Sequence, residues 1–518
     1  MNIILASSEA VPFAKTGGLA DVATSLSEAL ANLGHDVTLV LPHYPQVMPQ
    51  GHNGRFKIQP YGHPFAVKIG KRLQTGRFLS AKMVETSLSV VLIDQPDYYD
   101  RPQLYLQDGT DYEDNCERFV FFSRAVVELA RQFTTPPDII HANDWQTGLV
   151  PVLVSEELRK DPRFAGVASV QTIHNINYQG RFWHWDMPLT GLDWKYFNWK
   201  QMEFYGELNL LKSGITFADM ITTVSPTYAR EIQTPEYGCG LETVLRNRRE
   251  SLAGILNGVS HADWNPATDW LIESNYSLKS IDEGKPICKA DLQETMKLPV
   301  RDDVPILGMI SRMTDQKGFD LIIETSELLM KMDIQLVFLG TGDRRYETFL
   351  DDLADRYPDK VATYIGFSEE VAHKIEAGSD IFLMPSRFEP CGLNQMYSMI
   401  YGTVPIVHRV GGLADSVVNV TTSTLSAGTA NGFSFDHYTG SAFIFTVQEA
   451  LRVFEDKQTW QKIVQNGMST DWTWKRSANQ YVDVYQRALE KIRPTPASSE
   501  VSENPPSTTP PTTPVDVR

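Results

Sequence analysis

Cysteine is scarce in this chain. Its four cysteines in 518 residues, Cys116, Cys239, Cys288 and Cys391, lie far apart and show no metal-ligand spacing. That argues against a disulfide framework and for a reducing compartment. Basic charge is also in deficit: 47 Lys and Arg face 64 Asp and Glu, a net charge of −17. Such a field disfavours nucleic-acid and anionic-membrane partners, so any anion must be held in a local basic pocket. No apolar stretch approaches the roughly 18 residues of a membrane span. The N-terminal segment has no basic region before Glu9, and a first strand from Asn2 or Ile3 leaves no room for a leader. A soluble, cytoplasmic protein is expected.

What is present is ordinary globular composition, 42% hydrophobic and 21% charged, in a chain long enough for two to four domains. Short β-branched runs alternate with amphipathic stretches, the pattern of parallel sheets covered by helices. Strands are expected at 2–6, 36–41, 89–94, 138–141, 169–173 and 220–224, with an antiparallel insertion between 56 and 91. A second series follows Asn257-Gly258, at 305–310, 335–339, 362–365, 380–384 and 404–407. The fold class is therefore α/β with two doubly wound domains. The expected division is 1–255, 256–475, a helix at 476–493 returning to the first domain, and a Pro/Ser/Thr-rich disordered tail at 494–518.

Such domains bind ligands at the carboxyl ends of their strands, and two of them facing each other enclose one cleft. The polar turns follow strands accordingly. Lys15-Thr16-Gly17-Gly18-Leu19 leads from a strand into a helix. Its glycines permit close backbone approach to a phosphate, and Lys15 adds a mobile charge. The spacing is neither the Rossmann Gly-x-Gly-x-x-Gly nor a Walker loop. In the second domain, Arg312 and Lys317 lie five apart across a turn and can reach one phosphate, as a fork and a point charge. The run Ser386 to Leu393 follows another strand. There Glu389 is suited to accept sugar hydroxyls, and the N–H groups of Gly392 to Asn394 to receive phosphate. Cys391 lacks a nearby histidine to activate it and reads equally as a small packing residue.

His141 to Gln146 and His174 to Gly180 follow first-domain strands. Asp144 beside Trp145 pairs a hydroxyl acceptor with a flat apolar face, and each histidine reads equally as a structural residue. Trp183, Trp185, Trp194, Tyr196, Phe197 and Trp199 are dense enough for a core or for stacking on a polysaccharide. Asp-x-Asp, by which many nucleotide-sugar enzymes hold a divalent cation, is absent; Lys and Arg can neutralise a diphosphate instead, so no metal is expected.

Taken in order, Lys15-Thr16-Gly17-Gly18-Leu19-Ala20-Asp21, His174-Asn175 with Tyr178-Gln179-Gly180, Asn257-Gly258-Val259, Ser311-Arg312 with Gln316-Lys317-Gly318, and Ser386 to Leu393 resemble the landmarks of bacterial glycogen synthases and plant starch synthases. The resemblance spans about residues 1–490. It implies a GT-B fold and a retaining glucosyltransferase that extends an α-1,4-glucan or maltooligosaccharide from ADP-glucose, a co-substrate, with no cofactor. It further implies that Arg312, Lys317 and Lys15 bind the diphosphate, with the Gly17-Gly18 turn beside it, and that Glu389 holds the glucosyl unit. Asp21, Asp144 and Asn257 would line the sugar and acceptor side, and His174 the anomeric centre. Phe367, where some relatives have Tyr, would stack near the base. Tyr397 stands where many related glucosyltransferases carry a second Glu, and Asn394 where Thr is frequent. Cys391, Gly392, Leu393, Asn394 and Tyr397 complete the expected substrate-binding set. Three alternatives remain on sequence grounds: the same transfer from UDP-glucose, a glucan phosphorylase, and a non-catalytic glucan-binding protein.

Overall fold

A computed structural model describes residues 1–48, 56–83 and 88–493; the expected tail at 494–518 lies outside the described residues. Two sheets organise the chain. The first has nine strands in the order Leu252–Gly254, Met220–Thr223, Ala168–Ile173, Ile139–Asn143, Asn2–Ala6, Asp36–Pro42, Ser89–Asp94, Arg72–Met83 and Phe56–Ile69. Its first seven strands pair in parallel. The hairpin of the last two is antiparallel and extends one edge through Ser89–Asp94.

The second sheet has six parallel strands, Val361–Ile365, Gln335–Gly340, Ile306–Ile310, Ile381–Met384, Val404–His408 and Phe433–Phe435. Phe433–Phe435 and Leu252–Gly254 are additions to the sequence expectation; each is a three-residue edge strand, too short for a period-2 signal.

Near-continuous apolar strands result because both faces are covered. Within Asn2–Ala6, Ile4 and Ala6 enter a cluster with the helix Asn115–Gln132, while Ile3 and Leu5 enter another with Gly18–Asn32 and Trp474–Ile492. Ile306 and Leu307 divide likewise between the two faces of the second sheet. The final helix, Trp474–Ile492, thus lies on the first sheet. There the Tyr485 hydroxyl meets His141 Nδ1 at 2.8 Å and Ser477 Oγ donates to the Leu256 carbonyl at 2.5 Å.

The chain passes between the sheets twice, side by side, with Val259 N donating to Trp472 O at 2.7 Å. A second contact joins the helices Pro226–Glu231 and Gly411–Ser416. Asp415 accepts from Thr227 N (2.7 Å) and Oγ1 (2.6 Å), and Glu231 accepts from Gly411 N at 2.9 Å.

Candidate active site

The strands Ile306–Ile310 and Ile381–Met384 are neighbours, so the loops that leave their carboxyl ends are forced together. Arg387 N donates to the Gln316 carbonyl at 2.8 Å, and Gln316 Nε2 to that of Phe388 at 3.4 Å. Gly318 adopts φ +82°, and a Cβ there would stand 2.1 Å from the Pro385 oxygen. Only glycine permits this approach. The result delivers Lys317 Nζ to within 2.6 Å of Glu389 Oε2, which also accepts from Ser386 Oγ at 3.1 Å. Glu389 is buried, and its Oε1 has no hydrogen-bond partner among the described residues. The Arg312 guanidinium is exposed and, among the described residues, has no ion-pair partner.

Opposite stands the Lys15 loop. Glu9, which carried no signal in the sequence reading beyond its charge, is buried and anchors this loop. Its carboxylate accepts from Thr16 N (2.5 Å), Thr16 Oγ1 (2.6 Å), Gly17 N (3.3 Å) and the Tyr105 hydroxyl (2.7 Å). Lys15 Nζ lies 2.7 Å from Asp21 Oδ1. Burial raises the Asp21 carboxyl above its ordinary value, and Lys15 works against that rise. The helix Gly18–Asn32 starts without a side-chain cap. A Cβ built on Gly18 would meet Leu393 Cδ1 at 3.9 Å, so the glycine turn of the first domain faces the Glu389 loop of the second.

A third group follows the first-sheet strands. Asp144 has φ +55° and is buried, and its Oδ1 accepts from His174 N at 2.7 Å. Burial pushes its carboxyl up to about 7, against the opposing bonds from the His174 and Asn175 amides. Desolvation drives His174 down to about 3, so the ring is neutral at physiological pH. His174 Nε2 meets Asn143 Oδ1 at 2.9 Å, and the Asn143 amide is oriented by its own donation to the Ala6 carbonyl. Nε2 therefore carries the proton, leaving Nδ1 as an acceptor with no partner among the described residues. His141 is buried between Tyr485 and Thr172, a structural residue.

The remaining expected residues divide. Cys391 is buried, and its thiol is pushed up to about 12 by burial, with Asn257 bonding it in opposition. Burial and a raised thiol pKa favour the packing reading of Cys391 over a nucleophile. Asn257 is buried as well, and its Oδ1 has no hydrogen-bond partner among the described residues. Tyr397 stacks on Trp264 (centroids 4.1 Å apart, 7° between planes), whose ring also stacks on His373 at 4.0 Å. Asn394 Nδ2 donates to the Ile310 carbonyl at 3.4 Å, and Gly392 has φ +69° beside it. Phe367 is 89% exposed and without a ring partner among the described residues. Trp264 escaped the sequence reading because it sits in an irregular segment with no period; Asn143 lay within the His141 to Gln146 turn but was given no role there.

The starch synthase catalytic domain family matches residues 2–247, and the glycosyl transferases group 1 family matches residues 293–467. The glycogen synthase of Desulforudis audaxviator is 44% identical over 499 residues, covering 95% of this chain and 97% of that protein. That of Koribacter versatilis is 44% identical over 496 residues, covering 96% and 100%. In structure, the catalytic domain of starch synthase IV from Arabidopsis thaliana, bound to ADP and acarbose, superposes with a TM-score of 0.86 at 31% identity, over 94% of this chain and 99% of that one. The facing glycine and glutamate loops, the two doubly wound sheets and these relatives agree: the chain belongs to the glycogen synthase and starch synthase family of GT-B glucosyltransferases.

Proposed function

We propose that the enzyme transfers glucose from ADP-glucose to the non-reducing end of an α-1,4-glucan with retention of configuration. The observation that carries this reading is the Lys317–Glu389 pair set beside a loop whose Leu393 would lie 3.9 Å from a Cβ added to Gly18 of the Lys15 turn. It supports a reading in which groups suited to an anion and groups suited to sugar hydroxyls come from both domains. The ADP and acarbose named with the Arabidopsis structure supply the ligand classes.

Departure of ADP from C1 leaves positive charge on the sugar and negative charge on phosphate. Arg312, Lys317 and Lys15 are assigned to that developing negative charge, in place of a metal ion. Glu389 Oε1, with no protein partner among the described residues, is assigned to a hydroxyl of the glucosyl unit. His174 Nδ1 and the orphaned Asn257 Oδ1 are further acceptors suited to sugar hydroxyls. The C1–O bond to phosphate breaks, and the acceptor O4 bonds to C1 from the same face. The O4 proton passes to the departing phosphate. Closure of the cleft excludes water that would otherwise take the acceptor's place. The domain division 1–255 and 256–475, with 476–493 returning to the first domain, is part of this reading, as is residence in the cytoplasm; among the described residues no helix is long and apolar enough to cross a membrane.

The test is incubation with ADP-glucose or UDP-glucose plus maltooligosaccharide, followed by sizing of the product. Elongation from ADP-glucose is expected. Preference for UDP-glucose overturns the donor assignment, and absence of elongation from both overturns the reaction.

A further inference from the structure

Two carboxylates pass between the domains where the helices Pro226–Glu231 and Gly411–Ser416 meet, and the transfer chemistry gives neither of them a part. Asp415 of the second domain holds Thr227 N and Oγ1 of the first at 2.7 and 2.6 Å, and Arg230 Nη2 donates to the same hydroxyl at 2.6 Å. In the reverse direction, Glu231 Oε1 of the first domain accepts from Gly411 N of the second at 2.9 Å. Glu231 Oε2 is buried and has no hydrogen-bond partner among the described residues. A carboxylate oxygen left so costs free energy, so the gain has to come from what Oε1 holds.

What it holds leads to the assigned sugar site. Gly411 has φ +45°, and a Cβ there would collide with the Glu389 carbonyl oxygen. Only glycine permits that approach. Gly412 N donates to the same oxygen at 3.2 Å and to the Pro390 carbonyl at 3.1 Å. The Glu389 backbone therefore rests on the first turn of Gly411–Ser416, and that turn rests on Glu231. Two hydrogen bonds joined through the Gly411–Gly412 peptide connect a first-domain carboxylate to the residue whose own carboxylate faces the glucosyl unit. Lys317 and Ser386 hold Glu389 Oε2 from within the second domain; Glu231 is the support that comes from outside it.

We propose that Glu231 is a positioning residue for the reaction. Bonded to Gly411, it sets the place of Glu389, so that the sugar-binding carboxylate is aligned only while the Thr227–Asp415 contact keeps the domains docked. This rests on the functional reading above for the role of Glu389. Its consequence is selective: loss of Glu231 is felt by the glucosyl part of the donor and not by the nucleotide part.

The experiment compares wild type with Glu231→Ala, Glu231→Gln and Thr227→Val. Titration calorimetry without acceptor reads the dissociation constants of ADP and of ADP-glucose. Initial rates with maltotriose read kcat and the donor KM, and melting curves read folding. For Glu231→Ala we expect the ADP-glucose dissociation constant and the donor KM to rise about tenfold, the factor that 1.4 kcal/mol gives, on the scale of one lost hydrogen bond. The kcat falls with them, and the ADP dissociation constant stays unchanged. Glu231→Gln keeps an oxygen for Gly411 N and stays near wild type. Thr227→Val, which removes one of the two bonds to Asp415, shows the same pattern with a smaller rise. Equal weakening of ADP and ADP-glucose overturns the proposal, because it assigns Glu231 to domain docking alone. Unchanged ADP-glucose affinity and donor KM in a folded Glu231→Ala also overturn it. Where Glu231→Ala does not fold, Thr227→Val decides by the same two comparisons. If wild type prefers UDP-glucose, UDP and UDP-glucose make the same test. Failure of the proposed reaction shows separately, as absence of maltotriose extension by wild type from either donor.

Discussion

Lys317 Nζ lies 2.6 Å from Glu389 Oε2, and the two residues leave adjacent strands of one sheet. The cation assigned to the departing phosphate is thus held by the group assigned to the sugar. Lys317→Ala is expected to lower turnover by about two orders of magnitude or more, the scale of removing one preorganised stabilising group. It also leaves a buried carboxylate with Ser386 alone, so the thermal midpoint should fall. Initial rates and a melting curve measure both. Unchanged turnover in a folded variant removes Lys317 from the site.

Gly318→Ala tests the geometry behind that pair without touching a charge. At φ +82°, with 2.1 Å to the Pro385 oxygen, an added methyl strains the backbone and drives the two loops apart. A loss of about 1–3 kcal/mol is expected, together with a fall in turnover out of proportion to the residual folded fraction. Denaturant unfolding beside the rate assay separates the two effects. Normal turnover at reduced stability would mean that the Lys317–Glu389 distance does not matter to the reaction.

Much of this arrangement was legible in the sequence because it is local. A strand followed by Lys15-Thr16-Gly17-Gly18, or by Ser386 to Leu393, announces a turn at the mouth of a sheet within a few residues. What escaped was set by contacts distant in sequence. Glu9 reads as an isolated acid until Tyr105 closes over it from 96 positions away. Trp264 carries no periodicity, yet it is the middle plate between Tyr397 and His373. The aromatic run at 183–199 was ambiguous for the opposite reason: buried Tyr196 and exposed Trp183 belong to one short segment without regular period.

The buried titratable groups fix a pH dependence. His141 and His174 fall from 6.5 to about 3 on folding, while Asp144 rises from 3.8 to about 7. Between pH 3.8 and 6.5 the unfolded chain holds both imidazole protons and an ionised Asp144; the folded chain holds neither imidazole proton but keeps the carboxyl proton. The unfolded state thus binds one more proton, and these three groups make stability rise with pH by about 1.4 kcal/mol per unit. Asp144→Asn removes the opposing proton, so the slope across this window should steepen by about 1.4 kcal/mol per unit. Denaturant titrations of both proteins at pH 4.5, 5.5 and 6.5 measure the difference. An equal slope shows that Asp144 is ionised in the folded protein.

Glu9 and Lys15 give the last prediction. If Glu9 acts by holding Thr16 and Gly17, its effect on catalysis must pass through the position of the Lys15 turn. Lys15→Ala alone should weaken catalysis and raise the donor KM while leaving the fold intact, since Lys15 is exposed and Asp21 only half-buried, and pairs near the surface contribute little. Glu9→Gln keeps the shape of the side chain but loses charge and acceptor capacity. It should raise the donor KM about tenfold and cost about 1–3 kcal/mol of stability, because buried donors lose their partner. In the double variant the two stability effects should add, whereas the effects on donor KM should not, because a misplaced turn without its ammonium has little left to lose. Full additivity in donor KM would show that Glu9 reaches the reaction by another route, with its closeness to Asp144 as the next one to test.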